Sequence, residues 1–202
     1  LQIGGGPGAG SDGGAVTREA VLAAVITLLD RGRIRVGNEA YAEANNSYGA
    51  STLRRRHTEV KGETVVIDFV GKSGNEVHAE LCSERLAGVV RACQELPGQR
   101  LFCYRDAGGA LRTVDSGEIN DWLGGAIGPA CSAKSFRTWH ATVAAAGSLD
   151  AAGAPKPGLS AHALNRRFVA ACRVAAGALV NTPAVARKHY VAPCLAERDA
   201  DG

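Results

Sequence analysis

The sequence predicts a mainly α-helical α+β domain with one small antiparallel sheet. Three observations carry that reading. Apolar residues recur at helical spacing through most of the chain, beginning with Val21, Val25, Leu28 and Leu29. The period switches to alternation only between residues 57 and 81. Capping residues (Thr17, Ser83, Ser132, Thr182) stand at the starts of the helical stretches.

In chain order, residues 1–16 hold seven glycines and few core-forming side chains, the composition of a flexible linker. Thr17 then caps a helix that Gly32 ends. Thr64–Val70 and Glu76–Leu81 read as strands around a turn at Gly71-Lys72-Ser73-Gly74-Asn75. His57–Val60 reads as a third strand, closed by Lys61-Gly62. Ser83 caps a helix with Leu86, Val89, Val90, Cys93 and Leu96 on one face. Ser116 precedes a helix through Leu123, and Ser132 one through Ala146. Residues 150–160 form a loop, 162–180 a long helix, and Thr182-Pro183 starts a last one with proline at its first position. The domain thus spans 17–202.

Composition narrows the function only slightly. A net charge of +3 and a pI near 8.6 suit a polyanionic partner but do not require one. The six cysteines form no CxxC pair and have no histidines at zinc spacing, so they read as reduced thiols of a cytoplasmic protein. No apolar run reaches the roughly 20 residues of a membrane span. The glycines near the start lack a following Lys-Ser/Thr and follow no strand, which argues against a nucleotide cofactor. His140 and His189 have no supporting metal ligands, and His57 reads as structural.

The remaining chemistry lies in scattered cations and one tyrosine. Arg35 follows a helix end, and Lys72 sits at the tip of the hairpin. Arg137 falls near a helix start, where it opposes the dipole unless an anion or carboxylate compensates. Tyr190 follows Arg187, Lys188 and His189. Together these residues suit attack on a phosphodiester. Two guanidiniums stabilise charge on the non-bridging oxygens, a lysine protonates the leaving oxygen, and a phenol is the covalent nucleophile. Such a site needs no metal.

Three blocks carry a family resemblance over residues 17–195. The first is Ile34-Arg35-Val36-Gly37, Tyr41, Tyr48-Gly49-Ala50-Ser51-Thr52-Leu53, His57 and Phe69-Val70-Gly71-Lys72. The second is Lys134-Ser135-Phe136-Arg137-Thr138-Trp139, and the third is Asn181-Thr182-Pro183 through Tyr190. In these blocks the chain resembles the small type IB DNA topoisomerases of the poxvirus and bacterial kind. The resemblance implies the catalytic fold shared with tyrosine recombinases, with double-stranded DNA as the partner and neither ATP nor metal as cofactor. It implies Tyr190 as nucleophile forming a 3′-phosphotyrosyl link, and Arg35 and Arg137 as transition-state stabilisers. Lys72 becomes the general acid, and Tyr41 and Lys134 become DNA contacts. Asn181 stands where many members carry histidine, and its amide donates without becoming cationic. Family members clamp DNA as monomers between two domains, and the expectation here is the catalytic domain without its N-terminal partner.

Two alternatives stay open at this point. A tyrosine recombinase typically carries histidine three residues before the second arginine, where this chain has Lys134. A DNA-binding module without catalysis has no need for the full set of Arg35, Lys72, Arg137 and Tyr190.

Overall fold

The structure is a computed structural model that describes residues 16–201. Of the glycine-rich stretch, residues 1–15 lie outside the described residues. Val16 is buried in the core rather than part of a linker. Helix α1 (Arg18–Asp30) starts where Thr17 Oγ1 accepts the Ala20 N–H at 3.2 Å. It buries Val21, Leu22, Ala24, Val25, Leu28 and Leu29, the face its periodicity predicts. Helix α2 (Glu39–Asn45), capped by Asn38, is too short to give a periodic signal in the sequence.

The sheet runs β1 (Thr58–Lys61), β2 (Thr64–Val70) and β3 (Glu76–Cys82), antiparallel with β2 in the centre. Val65, Ile67 and Phe69 point into the core, and Asp68 points out opposite His78. The third strand starts one residue later than its pattern suggests. His57 closes a 3-10 turn instead, its Nδ1 accepting the Arg54 N–H at 3.0 Å. Lys61 is the last residue of the strand, not part of the turn.

Helix α3 (Glu84–Glu95) is capped by Ser83, whose Oγ accepts the Leu86 N–H. Leu96 lies just past its end. A hairpin of β4 (Cys103–Arg105) and β5 (Leu111–Thr113) follows, each strand too short for visible alternation. Helix α4 (Ser116–Ala126) contains Ser116, and the cap is Asp115, whose carboxylate accepts the Glu118 N–H at 2.8 Å. Helix α5 (Ala133–Ala151) runs past Ala146 to Ala151, so the predicted loop begins later. Asn120 Oδ1 accepts the Ala133 N–H at 2.9 Å and ties the start of α5 to α4.

Helix α6 (Ala161–Ala178) ends in a reversal at Val180, and α7 (Pro183–His189) leaves at 98° to it. Thr182 caps α7 with Pro183 at its first position, as the sequence predicts. It is not the last helix, because α8 (Cys194–Asp201) follows.

Two cores hold these elements. The first joins α1, the sheet, α3 and α4 through large side chains, among them Leu22, Leu28, Leu53, Ile67, Phe102 and Leu123. Each contributes about 1.5–3 kcal/mol on burial. The second packs Ala141 and Ala145 of α5 on Ala171, Cys172, Ala175 and Ala176 of α6, where small side chains let the helices approach closely. All six cysteines are free thiols, and burial pushes Cys93 up to about 11. Among the described residues no single helix is long and apolar enough to cross a membrane.

Candidate active site

Arg35 sits on an extended segment leaving α1, held by a second segment at close range. The Arg35 carbonyl accepts the Ala50 N–H at 2.8 Å, and the Val36 carbonyl accepts the Ser51 N–H at 2.7 Å. Only glycine permits this approach. A Cβ on Gly49 would lie 2.6 Å from the Arg35 carbonyl oxygen, and Gly37 has φ +92°. The Gly37 and Gly49 positions therefore fix the backbone that carries Arg35.

The Arg35 side chain reaches across to the end of α7. One Nη donates to Tyr190 Oη at 2.8 Å, and the other donates to Asn181 Oδ1 at 2.9 Å. Residues far apart in sequence thus meet at one guanidinium.

Arg137, on the second turn of α5, is 5% exposed. Its two Nη groups donate to the Arg33 carbonyl at 2.7 Å and the Leu179 carbonyl at 2.9 Å. Backbone carbonyls, rather than the carboxylate or anion expected from the dipole argument, offset its placement. Both acceptors adjoin unusual backbone: Arg33 has φ +52° and Val180 has φ +50°. The guanidinium carbon lies 5.2 Å from the Tyr190 ring centroid. Burial and the neighbouring charge of Arg35 lower the Arg137 pKa from the usual arginine value. Its Nε is buried without a hydrogen-bond partner, as is Asn181 Nδ2.

Tyr190 caps the C-terminus of α7. Burial pushes its phenol up, but the Arg35 hydrogen bond and the Arg35 and Arg137 charges outweigh burial and hold it below the ordinary tyrosine value.

Lys72 opens the turn between β2 and β3, in a short 3-10 segment closed by the Gly71 N–H to the Asn75 carbonyl at 2.7 Å. Asn75 Nδ2 donates to the Lys72 carbonyl at 3.0 Å. Lys72, Arg35, Lys134, Asn181 and Tyr190 line one cleft of about 900 Å³. Among the described residues no carboxylate lines it. Arg137 lines an adjoining cleft that shares Arg35 and Lys72. Lys134 Nζ lies 5.9 Å from the Tyr190 ring centroid. Tyr41 is different: it is 59% exposed on α2 and lines neither cleft.

The sequence reading missed several contributors. Arg33 and Leu179 act through backbone carbonyls, which no side-chain pattern announces. Asn75 orders the lysine turn, and an Asn in a Gly-rich turn was a usable signal. His57 is structural as expected: burial and the charges of Arg56 and Arg54 lower its pKa to about 4. His140 pairs with Asp30 at 3.0 Å. His189 lines the larger cleft.

Comparison with known proteins gives the family. The model of the family described as eukaryotic DNA topoisomerase I, catalytic core, matches residues 13–194. The chain belongs to this topoisomerase family. It is 26% identical over 175 residues to DNA topoisomerase 1B of Acanthamoeba polyphaga mimivirus, covering 85% of this chain and 52% of that protein. It is 25% identical over 153 residues to DNA topoisomerase 1 of Mycosarcoma maydis, covering 67% of this chain and 15% of that protein. The chain spans about half the length of the first of these topoisomerases and a much smaller share of the second. The mainly helical α+β fold agrees with the family.

Proposed function

We propose that this chain relaxes supercoiled DNA by type IB chemistry, with Tyr190 as the nucleophile. The observation that carries the reading is the Tyr190 hydroxyl hydrogen-bonded to Arg35 within a cationic cleft that no carboxylate lines among the described residues.

Tyr190 Oη attacks the phosphorus of a duplex phosphodiester and loses its proton to solvent. The bond from phosphorus to the 5′ oxygen breaks, and Lys72 gives that oxygen a proton. The products are a 3′-phosphotyrosyl link and a free 5′-hydroxyl. Arg35 and Arg137 hold the charge that builds on the non-bridging oxygens. Asn181 Nδ2 and Arg137 Nε are buried beside Tyr190 without hydrogen-bond partners among the described residues, and Asn181 is proposed to donate to a non-bridging oxygen once DNA is seated. Lys134 and Tyr41 contact the DNA flanking the cut, Tyr41 from its exposed place on α2.

The phosphotyrosyl link conserves bond energy, so attack by the 5′-hydroxyl reseals the strand without ATP. Between the two steps the free end swivels and torsion in the duplex is released. Guanidinium groups supply the positive charge, so the reaction proceeds without a metal. A monomer supplies every group named.

The test is relaxation of a negatively supercoiled plasmid in EDTA without ATP, beside Tyr190→Phe. Relaxation by the parent and none by the variant supports the reading. Failure of both to relax it, with DNA still bound and no covalent adduct formed on a nicked duplex, leaves a binding module and overturns it.

A further inference from the structure

Thr142 lies on α5, more than one helical turn beyond Arg137, and its hydroxyl does something a helical threonine seldom does. A threonine inside a helix ordinarily bonds back to the carbonyl four residues earlier, as Thr27 does to the Ala23 carbonyl at 2.8 Å. Thr142 Oγ1 leaves its own helix instead. It donates to the Tyr190 carbonyl at 3.2 Å and accepts the Ala192 N–H at 3.1 Å. One hydroxyl therefore brackets Val191 and pins the peptide on the C-terminal side of Tyr190.

The pin acts where α7 has run out of helix. Tyr190 has φ −132° and ψ −39°, and the Tyr190 and Val191 amides both donate to the Ala186 carbonyl. Beyond them the backbone has no helical partners, so the Tyr190 carbonyl and the Ala192 amide depend on Thr142. Their anchor is the helix that also carries Lys134 and Arg137. Val191 is buried beside it and Ala141 is fully buried, so the anchor has little freedom to move.

We infer that Thr142 is a positioning residue for Tyr190, setting the phenol in register with Arg35 and Arg137. Covalent attack is sensitive to small displacements, because the reacting atoms must be held close and aligned. Thr142 does not touch the reacting atoms. It fixes the backbone from which the phenol extends. This inference rests on the proposed role of Tyr190 as nucleophile.

The test compares Thr142→Val, which keeps the shape and loses the hydroxyl, with Thr142→Ser, which keeps the hydroxyl. Thr142→Ala supplies a second hydroxyl-free variant should valine disturb the packing. Single-turnover cleavage of a nicked duplex is expected to slow roughly tenfold or more in Thr142→Val, as one buried hydrogen-bonding group is lost. Duplex affinity stays at the parent level, and Thr142→Ser cleaves near the parent rate. The Tyr190 phenol, titrated by ultraviolet difference absorbance against Tyr190→Phe, moves toward the ordinary tyrosine value in Thr142→Val. A purely structural role lowers the melting temperature and leaves both the rate and the titration in place. Parent-like cleavage and titration in Thr142→Val, or equal loss in Thr142→Ser, overturns the inference. If the parent itself does not cleave while the titration still responds to Thr142→Val, positioning stands and the proposed reaction falls.

Discussion

Arg35 donates a 2.8 Å hydrogen bond to the Tyr190 hydroxyl, 155 residues further along the chain. Its second Nη holds Asn181 at the same time. One planar fork therefore holds the Tyr190 phenol and a neighbouring amide together, which a lysine cannot reproduce. Arg35→Lys and Arg35→Ala are both expected to slow single-turnover cleavage by about 10²–10³. In both, the phenol titration rises toward the ordinary tyrosine value. A parent-like rate in Arg35→Lys contradicts the fork.

Arg137 combines the catalytic role proposed for it with structural contacts. Its removal leaves the Arg33 and Leu179 carbonyls unpaired in a buried place. Arg137→Ala is expected to lose about 1–3 kcal/mol of stability in urea unfolding, together with strand cleavage. Loss of cleavage at unchanged stability means that the carbonyl contacts carry no weight.

Val180 is strained. A β-branched residue at φ +50° costs about 1–2 kcal/mol, and glycine meets no such penalty. Part of that gain is offset by the greater freedom of glycine in the unfolded chain. Val180→Gly is expected to raise the melting temperature by about 2–4 °C, the equivalent of roughly 1 kcal/mol. A lower melting temperature indicates that the valine side chain gives back more than its backbone costs.

His57 makes stability depend on pH. Its pKa falls to about 4 in the folded protein through burial and the charges of Arg56 and Arg54. The unfolded chain takes up the proton near pH 6.5. Between these values the unfolded state binds more protons, so stability declines as pH falls from about 6.5 to about 4. The loss is on the order of 3 kcal/mol at most. Melts across that window in the parent and in His57→Asn check the sign, and a parent profile as flat as the variant's contradicts it.

Local signals made much of the fold legible. The central strand β2, the Thr17, Ser83 and Thr182 caps and the proline at the start of α7 are set by neighbouring residues, and all stand where the pattern puts them. What escaped was short or long-range. The strands β4 and β5 have three residues each, below the length at which alternation shows. Asp115 took the cap position that Ser116 suggested, because both types cap helices and spacing alone does not choose between them.

The same division runs through the site. Arg35, Lys72, Lys134, Asn181 and Tyr190 share one cleft, and Arg137 lines the adjoining one. Tyr41 stands outside both. The supports around Arg137 are backbone carbonyls of Arg33 and Leu179, and Thr142 works through backbone partners too. A backbone carbonyl leaves no mark on the residue that bears it, so only the folded chain reveals these contacts.

The most direct measurement is the chemical identity of the protein–DNA link. A nicked duplex that releases a short 5′-hydroxyl fragment traps the covalent complex, and proteolysis with mass spectrometry locates the attachment. The account predicts a 3′-phosphate joined to the Tyr190 peptide, formed in EDTA and absent from Tyr190→Phe. A link at another residue, a 5′-phosphate attachment, or an adduct that survives in Tyr190→Phe contradicts it.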